Sequence, residues 1–158
     1  MAGIRRIKRR IKTSPVYING YIARHKSDKG SFIMATFRIL VTGSRKWTDR
    51  ERIKDALLCA EKENTWGFPV VLVHGGALGA DTLARDVALE LGWKTEEHPA
   101  DWGLGRHAGL ARNAEMVSLG ADRCLAFILN GSSGARHTAD LAEKAGIPTT
   151  RAELWSRE

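Results

Sequence analysis

Three apolar, strand-like runs in this chain each stop at a glycine-bearing polar loop that opens a helix. Phe37-Arg38-Ile39-Leu40-Val41 runs into Thr42-Gly43-Ser44-Arg45, and Val70-Val71-Leu72-Val73 into His74-Gly75-Gly76. Leu125-Ala126-Phe127-Ile128 does the same before Asn130-Gly131-Ser132-Ser133-Gly134. Short apolar runs alternating with helical stretches specify an α/β fold with a parallel sheet. In such a sheet every strand-to-helix junction falls along one edge, where backbone amides and helix N-termini gather. Glycine also simply ends strands, so one such loop says little. Three in register predict a nucleotide-sized pocket.

The spacing of apolar residues predicts the elements between these loops. A helix is expected over 49–63, capped by Thr48 or Asp49, with Ile53, Leu57, Cys59 and Ala60 facing inward. A second, over 79–91, spaces Leu83, Val87 and Leu91 four apart beside Ala84 and Ala88. The polar run 94–98 reads as a weak strand near an edge. A helix over 105–119, a strand over 123–128 and a helix over 134–145 with Leu141 and Ala145 inward follow. Gly146 ends that helix, and Ile147-Pro148 opens a short final strand. Five strands joined by right-handed crossovers give strand order 3-2-1-4-5 most simply. The expected fold is a Rossmann-like three-layer sandwich over residues 35–158.

The net charge of +7 is unevenly spread. Residues 1–34 hold nine Lys and Arg against Asp28 alone, or +8, whereas 35–158 hold sixteen against seventeen acids, or −1. The folded part therefore carries no nucleic-acid footprint, and nucleic-acid binding would have to come through the leader. Within that leader Ile4, Ile7 and Ile11 form a stripe in a cationic face, and Asn19-Gly20 signals a hairpin. The leader is expected to be disordered, since so short a helix is marginal alone, or not translated at all. Met34 stands just before the first core strand, and Lys29-Gly30 can be encoded by a purine-rich, ribosome-binding-like stretch. No apolar run approaches the roughly 20 residues of a membrane span. Cys59 and Cys124 read as two buried free thiols of a cytoplasmic protein, and no metal-ligand spacing is present.

The loops carry the chemistry. Gly43, Ser44 and Arg45 offer amides, a hydroxyl and a guanidinium, with Gly43 free to take a positive φ. In the second loop Gly75, Gly76 and Gly79 bring backbone close to whatever lies above the sheet. Asp81, in the first helical turn, can take ribose hydroxyls or fasten the neighbouring loop. His74 reads as a hydrogen-bonded structural histidine. Arg112 and Asn113 precede Met116 by four and three residues, so an inward Met116 turns both toward the sheet edge. A half-buried Arg needs an anion, whether phosphate or carboxylate. Ser133, Gly134, Arg136 and Thr138 at the last helix start complete the candidate ligand-binding set.

Four motifs in order carry a family resemblance. They are Ile39-Leu40-Val41-Thr42-Gly43-Ser44-Arg45, His74-Gly75-Gly76 with Gly79-Ala80-Asp81, Pro99-Ala100-Asp101-Trp102 with Arg112-Asn113 and Met116, and Gly134-Ala135-Arg136-His137-Thr138. Over residues 37–150 or so the chain resembles the SLOG superfamily, and within it the phage and bacterial branch related to YspA and YpsA. That resemblance implies a Rossmann-like domain that binds a nucleotide or nucleotide-derived, ADP-ribose-like ligand, and often pairs as a homodimer. Relatives include the LOG phosphoribohydrolases, which cleave the base from nucleoside 5′-monophosphates, and the DNA-processing protein DprA. Arg112 matches the Arg of the LOG pattern, Asn113 replaces its Lys, and residues 134–138 stand in for its glycine loop. Neither register of that loop places a carboxylate at the LOG catalytic Glu. Three functions follow: ligand binding in a sensing, sequestering or accessory role; N-glycoside hydrolysis using Asp81, Glu115 or Asp140 as catalytic carboxylate; and DprA-like nucleic-acid binding.

Overall fold

The computed structural model describes residues 35–156, together with the strands Val16–Ile18 (β1) and Tyr21–Ala23 (β2). These two pair antiparallel with Ile18 opposite Tyr21, as the Asn-Gly signal predicts. The isoleucine stripe and the rest of the leader lie outside the described residues. The chain divides into two units, Met1–Thr36 and Phe37–Glu158.

In the second unit β3 (Phe37–Gly43), β4 (Val70–His74), β5 (Lys94–Glu97), β6 (Arg123–Leu129) and β7 (Thr149–Leu154) form one sheet. All its pairings are parallel, in the order β5-β4-β3-β6-β7. Counted from the first core strand this is the expected 3-2-1-4-5 arrangement of an α/β, Rossmann-like domain. All five residues of β4 are buried, as a strand covered on both faces requires, while β5 is half exposed at its edge. Helices α1 (Arg50–Glu61) and α2 (Ala80–Glu90) cover one face. There Ile39, Val41, Leu72, Leu125 and Phe127 meet Ile53, Leu57, Ala84 and Val87. Helices α3 (Ala108–Ser118) and α4 (Ser133–Lys144) cover the other, setting Met116, Val117 and Ala142 on Leu40, Val73 and Cys124. Period two in the strands and 3.6 in the helices thus generate three layers. Each fully buried Leu or Ile contributes roughly 1.5–3 kcal/mol.

Several expectations shift for local reasons. Asp49 is the cap of α1, its carboxylate accepting from Arg52 N at 3.0 Å. Cys59 is exposed and not buried, because it lies about 200° round the helix from Leu57. Only Cys124 is buried, and desolvation pushes its thiol up to about 12. Helix α3 starts at Ala108, three residues later than expected: Trp102–Leu104 forms a 3₁₀ turn, and Gly105 at φ +88° cannot continue as a right-handed helix. In α4 the buried face is Ala135, Thr138, Ala139 and Ala142, with Ala145 exposed and Leu141 half-buried. Small residues hold that helix close to the sheet. Among the described residues no helix is long and apolar enough to cross a membrane, and no His, Cys, Asp and Glu cluster could hold a metal ion.

Candidate functional site

A cavity of about 490 Å³ opens where the loop after β3 faces the start of α4. Gly43, Ser44 and Arg45 line it from one side, Ser133 and Gly134 from another, and Asp81, Arg112 and Asn113 from α2 and α3. A second cavity of about 310 Å³ adjoins it, lined by Gly75, Gly76, Leu78, Glu97, Pro99 and Ala100. Arg45, Ala77, Trp102 and Arg112 belong to both walls. Ten of the residues singled out in the sequence therefore border these two spaces.

The others do not. Gly79, at φ +82°, is pressed onto the loop after β3, where an added Cβ would strike the carbonyl oxygens of Ser44 and Arg45. Thr138 is fully buried, its hydroxyl donating to Gly134 O at 3.0 Å. Arg136 faces outward to Glu153 at 3.5 Å. Glu115 is exposed on α3, away from both cavities. Asp140 pairs with Arg151 at 2.5 Å, and that guanidinium lowers its pKa. Asp81 alone of the three candidate carboxylates borders the cavity. Gly43 also has a different reason from the expected one. Its φ is not positive; an added Cβ would instead meet Ala80 Cβ and, at 2.9 Å, the carbonyl of Phe127. Glycine lets α2 approach the sheet there.

Arg112 is the centre of the site's electrostatics. Met116 packs inward and Asn113 is buried with it, which carries Arg112 over the sheet edge. Its Nε donates to Asn113 Oδ1 at 2.8 Å, and its Nη1 donates to Gly75 O and, at 3.0 Å, to His98 O. Nη2 has no hydrogen bond, and Arg112 forms no ion pair among the described residues. Desolvation lowers its pKa, which the charge of Asp81 opposes. Asp81 is itself only 5% exposed, and its Oδ2 accepts from Gly75 N at 3.0 Å and Ala77 N at 3.4 Å. Burial pushes that carboxylate up to about 6. One loop is thus held from both sides, by Asp81 through its amides and by Arg112 through a carbonyl.

Neighbouring groups brace the arrangement. His74 is fully buried; its Nδ1 accepts from Gly76 N at 3.1 Å, and Nε2 has no hydrogen-bond partner among the described residues. Burial lowers its pKa, in keeping with a neutral ring. Glu96 takes both Arg38 nitrogens, at 2.7 and 2.9 Å, and His98 at 2.7 Å. Arg38, and secondarily His98, hold its carboxylate down to about 2. That network fixes the strand end whose carbonyl, at His98, receives Arg112.

The start of α4 is an open donor set. Ser132 makes no side-chain cap, and the first helical bond from this turn is Arg136 N to Ser132 O at 3.1 Å. The amides of Ser133, Gly134 and Ala135 precede it, on residues that line the cavity. Lys46, Trp102 and Arg106 also line it, although the sequence reading assigned them no role. Lys46 directly follows Gly43-Ser44-Arg45, so adjacency was its available signal. Arg106 and Trp102 sit in a stretch expected to be loop and early helix, and nothing in their spacing marks the side they face.

The family model of YspA- and cpYpsA-related SLOG proteins (YAcAr) matches residues 37–105. Gene 61 protein of Mycobacterium phage D29 is 48% identical over 117 residues, 70% of this chain and 92% of that protein. No solved structure matches the chain significantly.

Proposed function

Since the chain belongs to the YspA, cpYpsA-related SLOG family, we propose that the larger of these two adjoining cavities binds the phosphate of a nucleotide or nucleotide-derived ligand, in a sensing, sequestering or accessory role. One observation carries the reading. A half-buried guanidinium without an ion-pair partner among the described residues lines the same cavity as the uncapped start of α4. Helix amides and dipole favour an anion there, and an anion relieves the cost of the desolvated Arg112 charge. Arg45, Lys46 and Arg106 add three cations against Asp81 alone. A local excess of positive charge inside a near-neutral domain selects an anionic small molecule. Asp81 borders the cavity, but its Oδ2 is committed to two amides. Binding is therefore preferred to N-glycoside cleavage.

Isothermal titration with AMP tests this. The intact chain should bind, and Arg112→Ala should weaken binding at least tenfold, about 1.4 kcal/mol or more. Undiminished affinity in that variant would sink the reading.

A further inference from the structure

The two cavities differ in chemistry although they share a wall. The larger has four cationic side chains, the hydroxyls of Ser44 and Ser133, and helix amides. The smaller shares Arg45 and Arg112 with it but adds no further cation; its own charged side chain is one carboxylate, Glu97, among Leu78, Pro99, Ala100 and the indole of Trp102. Glu97 forms no hydrogen bond or ion pair among the described residues. It lies against Gly76, where an added Cβ would meet Oε1 at 2.5 Å, so the bare glycine leaves this carboxylate in the cavity wall. Trp102 is 57% exposed at the divide, with the Arg45 guanidinium 5.6 Å from its ring centroid.

We infer that the smaller cavity receives the nucleoside end of the ligand, with Glu97 accepting hydrogen bonds from the nucleoside and Trp102 walling its ring. This rests on the larger cavity's taking the phosphate. A phosphate is repelled by the uncommitted Glu97, whereas the larger cavity adds Lys46 and Arg106 to the two shared guanidiniums and has Oδ2 of its one carboxylate, Asp81, bonded to loop amides. A nucleoside is neutral, carries a flat base and is rich in donors, which suits an unpaired acceptor beside apolar and aromatic surface. Arg112, present in both walls, marks where phosphate and nucleoside join. Glu97 and Trp102 thereby determine specificity. Their donor partner is either the ribose diol or an exocyclic base amine.

Titration of the full chain with AMP, inorganic phosphate, 2′-deoxy-AMP and IMP tests the assignment. AMP should bind at least tenfold more tightly than phosphate. Glu97→Ala should remove most of that advantage without weakening phosphate binding, and Trp102→Ala should weaken AMP binding more than phosphate binding. Both side chains are exposed, so unchanged melting temperatures are expected and would confirm folded variants. Weakening with 2′-deoxy-AMP assigns the diol, and weakening with IMP the amine; parity of all three nucleotides overturns the inference. So does an equal loss of AMP and phosphate in the variants, or no loss in either. If phosphate binds and AMP binds no better, this inference alone falls. If neither binds, the proposed function falls with it.

Discussion

At the scale of single residues, Asp81 and Arg112 work as a pair acting on one loop. Asp81 holds the amides of Gly75 and Ala77, and Arg112 holds the carbonyl of Gly75. The carboxylate was legible in the sequence as a helix-start acid with two roles open to it; the folded chain puts it to fastening the loop. Its pKa of about 6 lies above the value of about 3.9 in an unfolded chain. The native state therefore binds more protons between those values, and this group's contribution to stability falls as pH rises from about 4 to about 6, then levels. The loss is on the order of 3 kcal/mol. Asp81→Asn keeps an acceptor and removes the charge. Urea unfolding at pH 4, 5, 6 and 7 should show the wild type losing stability relative to the variant across that window. Parallel profiles would mean that burial does not shift Asp81.

At the scale of elements, the contact between α2 and the loop after β3 decides how close the site's walls come. Gly43 and Gly79 are both needed there, because Ala80 and the carbonyls of Ser44, Arg45 and Phe127 occupy the space a side chain would take. Gly43→Ala must push α2 from the sheet or strain the strand end, at a cost of about 1–3 kcal/mol. A lowered urea midpoint with an unchanged slope is the expected result. A midpoint equal to wild type would show that the junction gives way freely. The start of α3 belongs to this scale too. Its apolar period was readable, but Gly105 in the left-handed region moved the helix start to Ala108, and this placed Trp102 and Arg106 on the cavity.

Across the whole molecule, the cavity residues all fall within Thr42 to Ala135 of the second unit. A chain begun at Met34 should therefore bind AMP with unchanged affinity by titration. A large loss would assign the basic leader a part in the site. The same shortened chain separates the nucleic-acid alternative. Binding to DNA through the leader should weaken steeply with salt and disappear without residues 1–33.

The order of apolar runs, the glycine-bearing loops and the helical periods determined by themselves the parallel sheet, its 3-2-1-4-5 order and the edge along which the strand-to-helix loops gather. Those are consequences of local periodicity and of the handedness of crossovers, which act wherever the pattern occurs. Only the tertiary structure decided that Thr138, Gly79 and Arg136 lie outside the cavities and that, among the described residues, Glu97 stands unpaired in one wall and Arg112 meets carbonyls and no carboxylate. Each depends on which side chains distant in sequence arrive at the same point, and no spacing along the chain encodes that.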